Sequence, residues 1–306
     1  MKVVLVTGAA GFLGRHIVRE FAAAGDKVVG VDVVPQENTG LAPNVEYARL
    51  MLPTPAFSEL LHRAKPDAVV HCAGRASVAN SLSEPAADFQ DGTVLTFEVL
   101  ESLRIAAPNC RLLFLSSAAV YGNPAALPVT EDQVCAPLSP YGWHKRQSEM
   151  LCEEFARIYA VPTTVVRIFS AYGPGLRRQV IWDICRQALT ESALHLRGTG
   201  SESRDFIHAA DVARAVRLLT GTAPGNGEIF NLASGVETTI AALAAKILRQ
   251  LGRDIPVHFD GAKTPGNPMN WCANISRVRA LGFEPRFTLD KGLESIAAWC
   301  SAEIAP

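Results

Sequence analysis

The chain has 306 residues, 48% of them hydrophobic, which is enough to bury a large core and excludes a disordered chain or a small stapled scaffold. Lysine and arginine total 29 against 30 aspartates and glutamates, so the formal charge of -1 offers no general attraction to nucleic acid or to an anionic membrane. Seven scattered cysteines without a Cys-x-x-Cys spacing predict reduced packing thiols and no metal site.

The first apolar run after Met1 ends at Gly8, which is too short for a secretory signal or a membrane span. We therefore expect a cytoplasmic protein.

The first half alternates short apolar runs with helical patterns. The runs cover residues 3–6, 28–31, 68–71 and 112–115, and a helical spacing of apolar residues follows the first of them. Gly25 is placed to end that helix. This alternation is typical of a buried parallel sheet with crossover helices, a doubly wound α/β fold.

Beyond about residue 170 the chain becomes richer in glycine and proline loops, which commonly carry a substrate site. Residues 163–168 and 228–232 still have strand character. We predict a first domain over residues 1–168 that also receives segments from about 205–235. A smaller C-terminal substrate lobe, 169–306, is interleaved with it.

A glycine loop follows the first strand and opens the first helix. Gly8 permits a tight turn, Gly11 permits close approach of a pyrophosphate to the backbone, and Gly14 permits close helix packing. Phe12 and Leu13 lie within the loop, where the helix amides would hold the negative charge. The sequence thus predicts a Rossmann-type dinucleotide site; the alternative is a glycine-rich turn without a ligand.

Asp32 ends the second strand, where a carboxylate can accept hydrogen bonds from ribose hydroxyls and repels a 2′-phosphate. NAD is therefore favoured over NADP. The alternative is an aspartate that only starts a turn.

Tyr141 and Lys145 lie four residues apart, after Ser139 as a helix cap and Pro140 in the first turn. This spacing places both side chains on one helix face. A nearby ammonium and a positive nicotinamide ring are expected to lower the pKa of the phenol, so that Tyr141 can act as acid or base.

Ser116 and Ser117 leave a strand about two dozen residues earlier, at the edge where doubly wound sheets bind ligands. We expect Ser117 to bind the reacting oxygen. The alternative for both serines is capping and turn formation only.

Together these motifs resemble the extended short-chain dehydrogenase/reductases, in the branch of nucleotide-sugar epimerases and dehydratases. The likeness extends nearly end to end and includes Asp67 to Gly74, Arg167 to Pro174, Arg204 to Ala213 and Phe230 to Gly235.

The resemblance implies catalysis by Ser117, Tyr141 and Lys145, with NAD as cofactor and a nucleotide-diphosphate sugar as substrate. Further cofactor contacts are predicted for Met51, Leu52, Cys72, Ala73, Gly74, Ser116 and Phe169, with Tyr141 and Lys145 also touching the cofactor. Substrate contacts are predicted for Ser117, Ser170, Gln179 and Arg204. Arg204 would bind the diphosphate through its fork of donors, the alternative being a salt bridge to Asp205 or Asp211. The resemblance also implies a homodimer through residues 93–104 and 141–159.

Several positions depart from the family pattern. Ala118 and Ala119 stand where dehydratases and decarboxylases carry acids, so elimination of water is disfavoured. Ser170 replaces an asparagine, Thr264 beside Lys263 replaces an arginine, and Gly92 begins the stretch that usually reads Asn-Val-x-Gly-Thr. The aspartate that usually binds adenine is missing near Met51 and Leu52, which leaves backbone groups and apolar packing for that task.

The sequence therefore favours a redox-neutral epimerase. A 4-ketoreductase that consumes reduced cofactor would use the same residues and is the close alternative. A dinucleotide-binding protein without turnover is a third possibility, since a fold alone proves no activity. A nucleic-acid binder is disfavoured by the charge balance, and Arg177 with Arg178 is interpreted as a solvated turn or a phosphate contact.

Overall fold

The computed structural model describes residues 1–262, 266 and 268–304. Its strands are β1 Val3–Thr7, β2 Lys27–Asp32, β3 Glu46–Arg49, β4 Ala68–His71, β5 Arg111–Ser117, β6 Thr163–Ile168, β7 Ser170–Tyr172, β8 Leu194–Leu196, β9 Ser203–His208, β10 Asn226–Leu232, β11 Glu237–Thr239 and β12 Val257–Phe259. Its α-helices are α1 Phe12–Ala23, α2 Pro55–Ala64, α3 Val78–Ser83, α4 Pro85–Phe89, α5 Leu95–Ala106, α6 Pro140–Tyr159, α7 Gln179–Thr190, α8 Ala209–Thr222, α9 Ile240–Gln250, α10 Ser276–Ala280 and α11 Leu289–Ile304.

Seven strands form one parallel sheet in the order β10-β6-β5-β4-β1-β2-β3. The chain moves outward from β1 to β3 and then returns to β4 on the other side of β1. The strand order thus reverses between β1 and β4, and in such sheets the ligand crevice opens at the carboxyl ends of these strands. The predicted doubly wound α/β fold is confirmed.

Helices cover both faces of this sheet, because its central strands are apolar on both sides. On one face, α1 packs beside α8, with Ile17, Phe21 and Val216 buried. On the other, α2, α5 and α6 bury Leu60, Leu100 and Phe155. The sheet core is therefore shared by segments from both halves of the sequence.

A second, smaller core lies in the C-terminal half, where α7, α9 and α11 pack together. Three short strands adjoin it in the order β11-β9-β7, while β10 leaves this half and pairs with β6. The chain thus crosses between the two cores more than once. Within the described residues, no helix is both long and apolar enough to span a bilayer.

Candidate active site

The glycine loop lies at the carboxyl end of β1 and is packed against the end of β4. Gly8 has a φ of +67°, and a methyl group added to it would lie 2.7 Å from the backbone nitrogen of Ala73. A methyl group on Gly14 would lie 2.0 Å from the carbonyl oxygen of Gly8. Both positions therefore require glycine, for the close turn and for the close helix.

The amino end of α1 is free to bind an anion. Gly11 caps the helix without a side-chain hydrogen bond, and its first turn contains no acidic residue. The unpaired amides and the helix dipole at this end suit a pyrophosphate. This geometry fits the dinucleotide predicted from the sequence, with Phe12 and Leu13 in the first turn of the helix.

Asp32 is fixed by the backbone around it. Its Oδ2 accepts a hydrogen bond from the amide of Ala10 at 2.9 Å, and its Oδ1 accepts one from Val33 at 2.7 Å. The carboxylate therefore shapes the turn after β2 and ties it to the glycine loop. Each oxygen keeps lone-pair capacity for a ribose hydroxyl.

The segment after β4 forms the opposite wall of the crevice and contains Cys72, Ala73 and Gly74. Ala73 donates a hydrogen bond to the hydroxyl of Thr7 at 3.3 Å, and Gly74 adopts a φ of +124°. Burial raises the pKa of the Cys72 thiol to about 12, so this cysteine is a neutral packing group.

The remaining predicted cofactor residues differ in exposure. Met51 is 76% exposed, Leu52 is half-buried against the core, and Phe169 is buried beside Tyr121 and Trp271. The hydroxyl of Ser116 donates to Oε1 of the buried Glu149 at 2.6 Å. The donor of that hydroxyl is therefore used inside the protein, which leaves its lone pairs and the backbone of Ser116 for a cofactor contact.

Ser117, Tyr141 and Lys145 come together at the carboxyl end of β5. Ser139 caps α6 by accepting a hydrogen bond from Gly142 at 3.2 Å, with Pro140 in the first turn, so the helix begins where the sequence predicts. The Ser117 hydroxyl is near enough to the Tyr141 phenol to lower its pKa. Ser117 also caps the following 3-10 turn by accepting from Ala119 at 3.2 Å, so the capping role and the proposed catalytic contact coexist.

Contacts with β5 fix the ammonium of Lys145 beneath the crevice. Its Nζ donates to the carbonyl oxygen of Leu115 at 2.8 Å and lies 4.7 Å from the centre of the Phe114 ring. It is 6.0 Å from the centre of the Tyr141 ring. Burial lowers the pKa of Lys145 to about 8, so the lysine is close to its titration point under ordinary conditions.

The surroundings of Tyr141 shift its pKa in opposite directions. Burial raises the pKa, as does the charge of Asp88, while the Ser117 hydroxyl and the charge of Arg178 lower it. Arg178 is therefore a second cation near the phenol, one that the sequence did not indicate. Arg178 donates to the carbonyl oxygen of Ala76 at 2.6 Å and so reaches from the loop before α7 to the loop after β4.

Three predicted substrate residues lie in the C-terminal half of the chain. Ser170 begins β7, Arg204 lies in β9, and Gln179 begins α7, exposed and with a φ of +71°. A positive φ is uncommon outside glycine and concentrates at functional sites. Lys263 and Thr264 lie outside the described residues.

Arg204 has no carboxylate partner among the described residues. It donates to the carbonyl oxygens of Ser203 at 2.7 Å and Met269 at 3.1 Å, and its guanidinium lies 5.3 Å from the centre of the Trp271 ring. The alternative of a salt bridge to Asp205 or Asp211 is wrong, because Asp205 binds backbone amides and Asp211 pairs with Arg214. Burial lowers the pKa of Arg204 to about 10, which leaves a charged guanidinium for an anionic ligand.

Sequence reasoning missed three features of this site. Trp271 stacks on Arg204, Arg178 lies near enough to Tyr141 to lower its pKa, and Asp88 pairs with His144 on α6. The first two join segments far apart in the chain, so no local pattern indicates them. The position of His144 between Tyr141 and Lys145 was a usable signal for the third.

A family model described as the NAD dependent epimerase/dehydratase family matches residues 4–233. A putative UDP-glucose 4-epimerase of Methanocaldococcus jannaschii is 28% identical over 302 residues, covering 97% of this chain and 98% of the relative.

Two solved structures extend the similarity. The UDP-glucose 4-epimerase of Thermotoga maritima, solved with UDP-glucose, has a TM-score of 0.91 and 28% identity, with 99% of each chain covered. The UDP-glucuronic acid 4-epimerase of Bacillus cereus, in complex with UDP-glucuronic acid and NAD, has a TM-score of 0.90 and 25% identity, covering 98% of this chain and 99% of that one.

Proposed function

Because the chain belongs to the NAD dependent epimerase/dehydratase family and is an NAD-dependent enzyme, we propose that it inverts the C4 hydroxyl of a nucleotide-diphosphate sugar. The observation that carries the proposal is the grouping of Ser117, Tyr141 and Lys145 beside the glycine loop at one sheet edge. The similar proteins named above are UDP-sugar 4-epimerases, so UDP-hexoses are the first substrates to consider.

NAD would be held by the glycine loop, Asp32 and Lys145. The amides at the start of α1 would hold the pyrophosphate, Asp32 would accept from the adenosine ribose, and Lys145 would donate to the nicotinamide ribose. When bound, NAD would supply the hydride acceptor that makes a transient keto-sugar accessible. The adenine would be held by apolar packing near Leu52, since Met51 and Leu52 stand where an acidic residue would otherwise bind it.

Tyr141 is the proposed acid and base. In its phenolate form, Tyr141 takes the proton of the C4 hydroxyl. After the keto-sugar has rotated to present its opposite face, Tyr141 in its phenol form returns that proton to the same oxygen. Ser117 donates to this oxygen and so stabilises its partial charge. Burial raises the pKa of Tyr141, and the charge of Arg178 counteracts that rise.

The nucleotide and diphosphate are proposed to lie along β7, β9 and the start of α7. Arg204 faces this region without a carboxylate partner among the described residues, and its planar fork suits bidentate binding of phosphate oxygens. Ser170 and Gln179 contact the sugar end. If the protein binds the substrate mainly through its diphosphate, the hexose ring remains free to rotate between two orientations.

Dehydration is not part of the proposal. Ala118 and Ala119 follow Ser117 in the 3-10 turn and are both buried, so this stretch supplies no carboxylic acid to protonate a leaving hydroxyl.

We also propose a homodimer. Trp143, Met150 and Ile158 recur along one face of α6 and are 53%, 55% and 70% exposed, with Phe97 on the neighbouring α5 at 40%. Large apolar side chains exposed in one contiguous stripe mark a protein interface. The same two helices form the dimer contact that the family resemblance implies.

The reaction is tested by offering the purified protein a panel of UDP-hexoses and their 4-keto derivatives with NAD⁺ or NADH. Absorbance of reduced nicotinamide is followed while the sugar products are separated. The proposal expects interconversion of C4 epimers with no net change in NADH. Stoichiometric loss of NADH with a 4-keto substrate would instead establish the ketoreductase, and binding of NAD without any conversion would establish a cofactor-binding protein.

A further inference from the structure

A buried carboxylate and an imidazole lie beside the catalytic turn of α6. The Nδ1 of His144 donates to Oδ2 of Asp88 at 2.6 Å. The Asp88 side chain is 3% exposed and that of His144 is 14% exposed. The Phe89 ring stands edge-on to the imidazole, with 5.3 Å between ring centres. The pair is therefore enclosed and connects α4 to the helix that carries Tyr141 and Lys145.

The second oxygen of Asp88 is buried and has no hydrogen-bond partner among the described residues. Burying a carboxylate with so few partners is costly, so a charge retained there must act on its surroundings. The neighbouring acids Glu84 and Asp91 are both paired with Arg75 near the surface. Among the described residues, Asp88 has no such arginine, and its side chain is paired with His144 on α6.

Residues 92 and 93 contact α6 at His144. The hydroxyl of Thr93 donates to the carbonyl oxygen of His144 at 3.2 Å. A methyl group on Gly92 would meet the Cβ of His144 at 3.8 Å. Gly92 therefore leaves the side of His144 that faces residue 92 without a neighbouring side chain from that position.

We propose that Asp88 and His144 are positioning residues, which fix the turn between Tyr141 and Lys145 and set the charge that both catalytic side chains experience. The inference rests on the proposed acid-base role of Tyr141 but does not depend on which sugar is the substrate.

The directions of the pKa shifts agree with this role. On Tyr141, burial and the Asp88 charge raise the pKa, whereas Ser117 and Arg178 lower it. On Lys145, burial lowers the pKa, while Cys72, Asp88 and Glu149, followed by Cys152, raise it. Asp88 thus favours the protonated form of both groups, which keeps the ammonium charged and helps Tyr141 return its proton. Removing the charge should lower both pKa values.

The test compares Asp88→Asn with Asp91→Asn. Asparagine at 88 can still accept the His144 bond, so the geometry stays while the charge is lost; the control removes a charge that is exposed and paired with Arg75. The near-ultraviolet absorbance of tyrosinate is titrated in the NAD⁺ complex of each protein. Subtracting the same titration in a Tyr141→Phe background isolates Tyr141.

We expect the Tyr141 midpoint to fall by roughly half a pH unit or more in Asp88→Asn and to stay in place in Asp91→Asn. The pH profile of turnover should move in the same direction. If Asp88→Asn does not fold, the double variant Asp88→Asn/His144→Gln provides the second test, because it also removes the charge, adds no cation, and keeps an amide hydrogen bond between the two side chains.

An unchanged midpoint in a folded Asp88→Asn protein, or in a folded Asp88→Asn/His144→Gln protein, overturns the inference. Because the titration needs no sugar, its result is independent of the proposed reaction. A shifted midpoint in a protein that converts none of the sugars would retain the positioning role and discard the epimerase.

Discussion

The Tyr141 hydroxyl is the atom on which the proposed chemistry depends. Tyr141→Phe removes only that oxygen and leaves Lys145 on its Leu115 carbonyl, so NAD binding should change little. Turnover should fall about 10²-fold to 10⁴-fold, the usual contribution of a positioned acid-base group. Calorimetric titration with NAD⁺ and product analysis measure the two effects separately. A variant with full turnover would remove Tyr141 from the mechanism.

His71 makes the protein sensitive to acid. It is buried beside Thr7, and burial followed by the Lys145 charge lowers its pKa to about 3. Between the unfolded value of about 6.5 and that pKa, the unfolded chain binds the extra proton, so stability falls as pH falls, by about 1.4 kcal/mol per pH unit.

In His71→Asn this dependence should disappear. We expect the free energy of unfolding in urea to drop about 2 kcal/mol less between pH 6.5 and pH 5 than in the unmodified chain, from a lower starting value. His208, whose pKa burial lowers to about 4, is present in both proteins and cancels in the comparison. If the free energy of unfolding falls equally with pH in the two proteins, His71 is not the group that causes the acid sensitivity.

Helix α6 is connected to the sheet by an ion pair that the sequence did not indicate. Glu149 accepts from Arg167 of β6 at 2.9 and 2.8 Å and from Ser116 of β5 at 2.6 Å, and both charged side chains are almost fully buried. Arg167 also donates to the hydroxyl of Tyr121 at 2.8 Å. The network fixes the position of α6 relative to the sheet, and with it the position of Tyr141 at the crevice.

Glu149→Gln should therefore destabilise the fold by about 3–5 kcal/mol, because it leaves the Arg167 guanidinium buried without its counterion. The matched control is Glu153→Gln on the same helix, whose partner Arg157 is exposed, so the loss there should be below about 1 kcal/mol. Urea unfolding of the two variants measures the difference. Equal losses would mean that the buried pair does not hold the helix.

Some elements of the fold could be predicted from the sequence, and others could not. The strands β1, β2, β4 and β5 were predicted because a fully buried strand is a short, continuous apolar run. The three-residue strands β7 and β11 were not, because so short a segment carries no readable period. Likewise, the Tyr141 and Lys145 spacing is local, whereas the partners of Ser116 and Arg178 come from distant segments and only folding brings them together.

For the whole molecule, the apolar face of α6 predicts association. Met150→Glu places a charge in the middle of the exposed stripe and should convert a dimer into a monomer, as measured by light scattering after size-exclusion chromatography. Val134→Glu is the control, since Val134 is 85% exposed outside α5 and α6. A dimer that survives Met150→Glu would place the interface elsewhere, and a monomeric unmodified chain would exclude it.

The arrangement of the two cores suits the proposed reaction, in which one site serves both faces of a sugar. The sheet fixes the glycine loop and Tyr141, while Arg204 lies in the C-terminal half. In our proposal, a hexose bound through its diphosphate would rotate against a stationary acid-base group and a stationary cofactor, which is what inversion at one carbon requires.

The most direct test of this account follows the hydrogen on C4. UDP-glucose carrying deuterium at C4 is incubated with the protein and NAD⁺ in ordinary water, and the recovered epimer is examined by mass spectrometry and NMR. Our account predicts that the epimer retains its deuterium at C4, because the hydride removed from one face is returned to the other. Solvent hydrogen at C4, or deuterium found in released NADH, would contradict it.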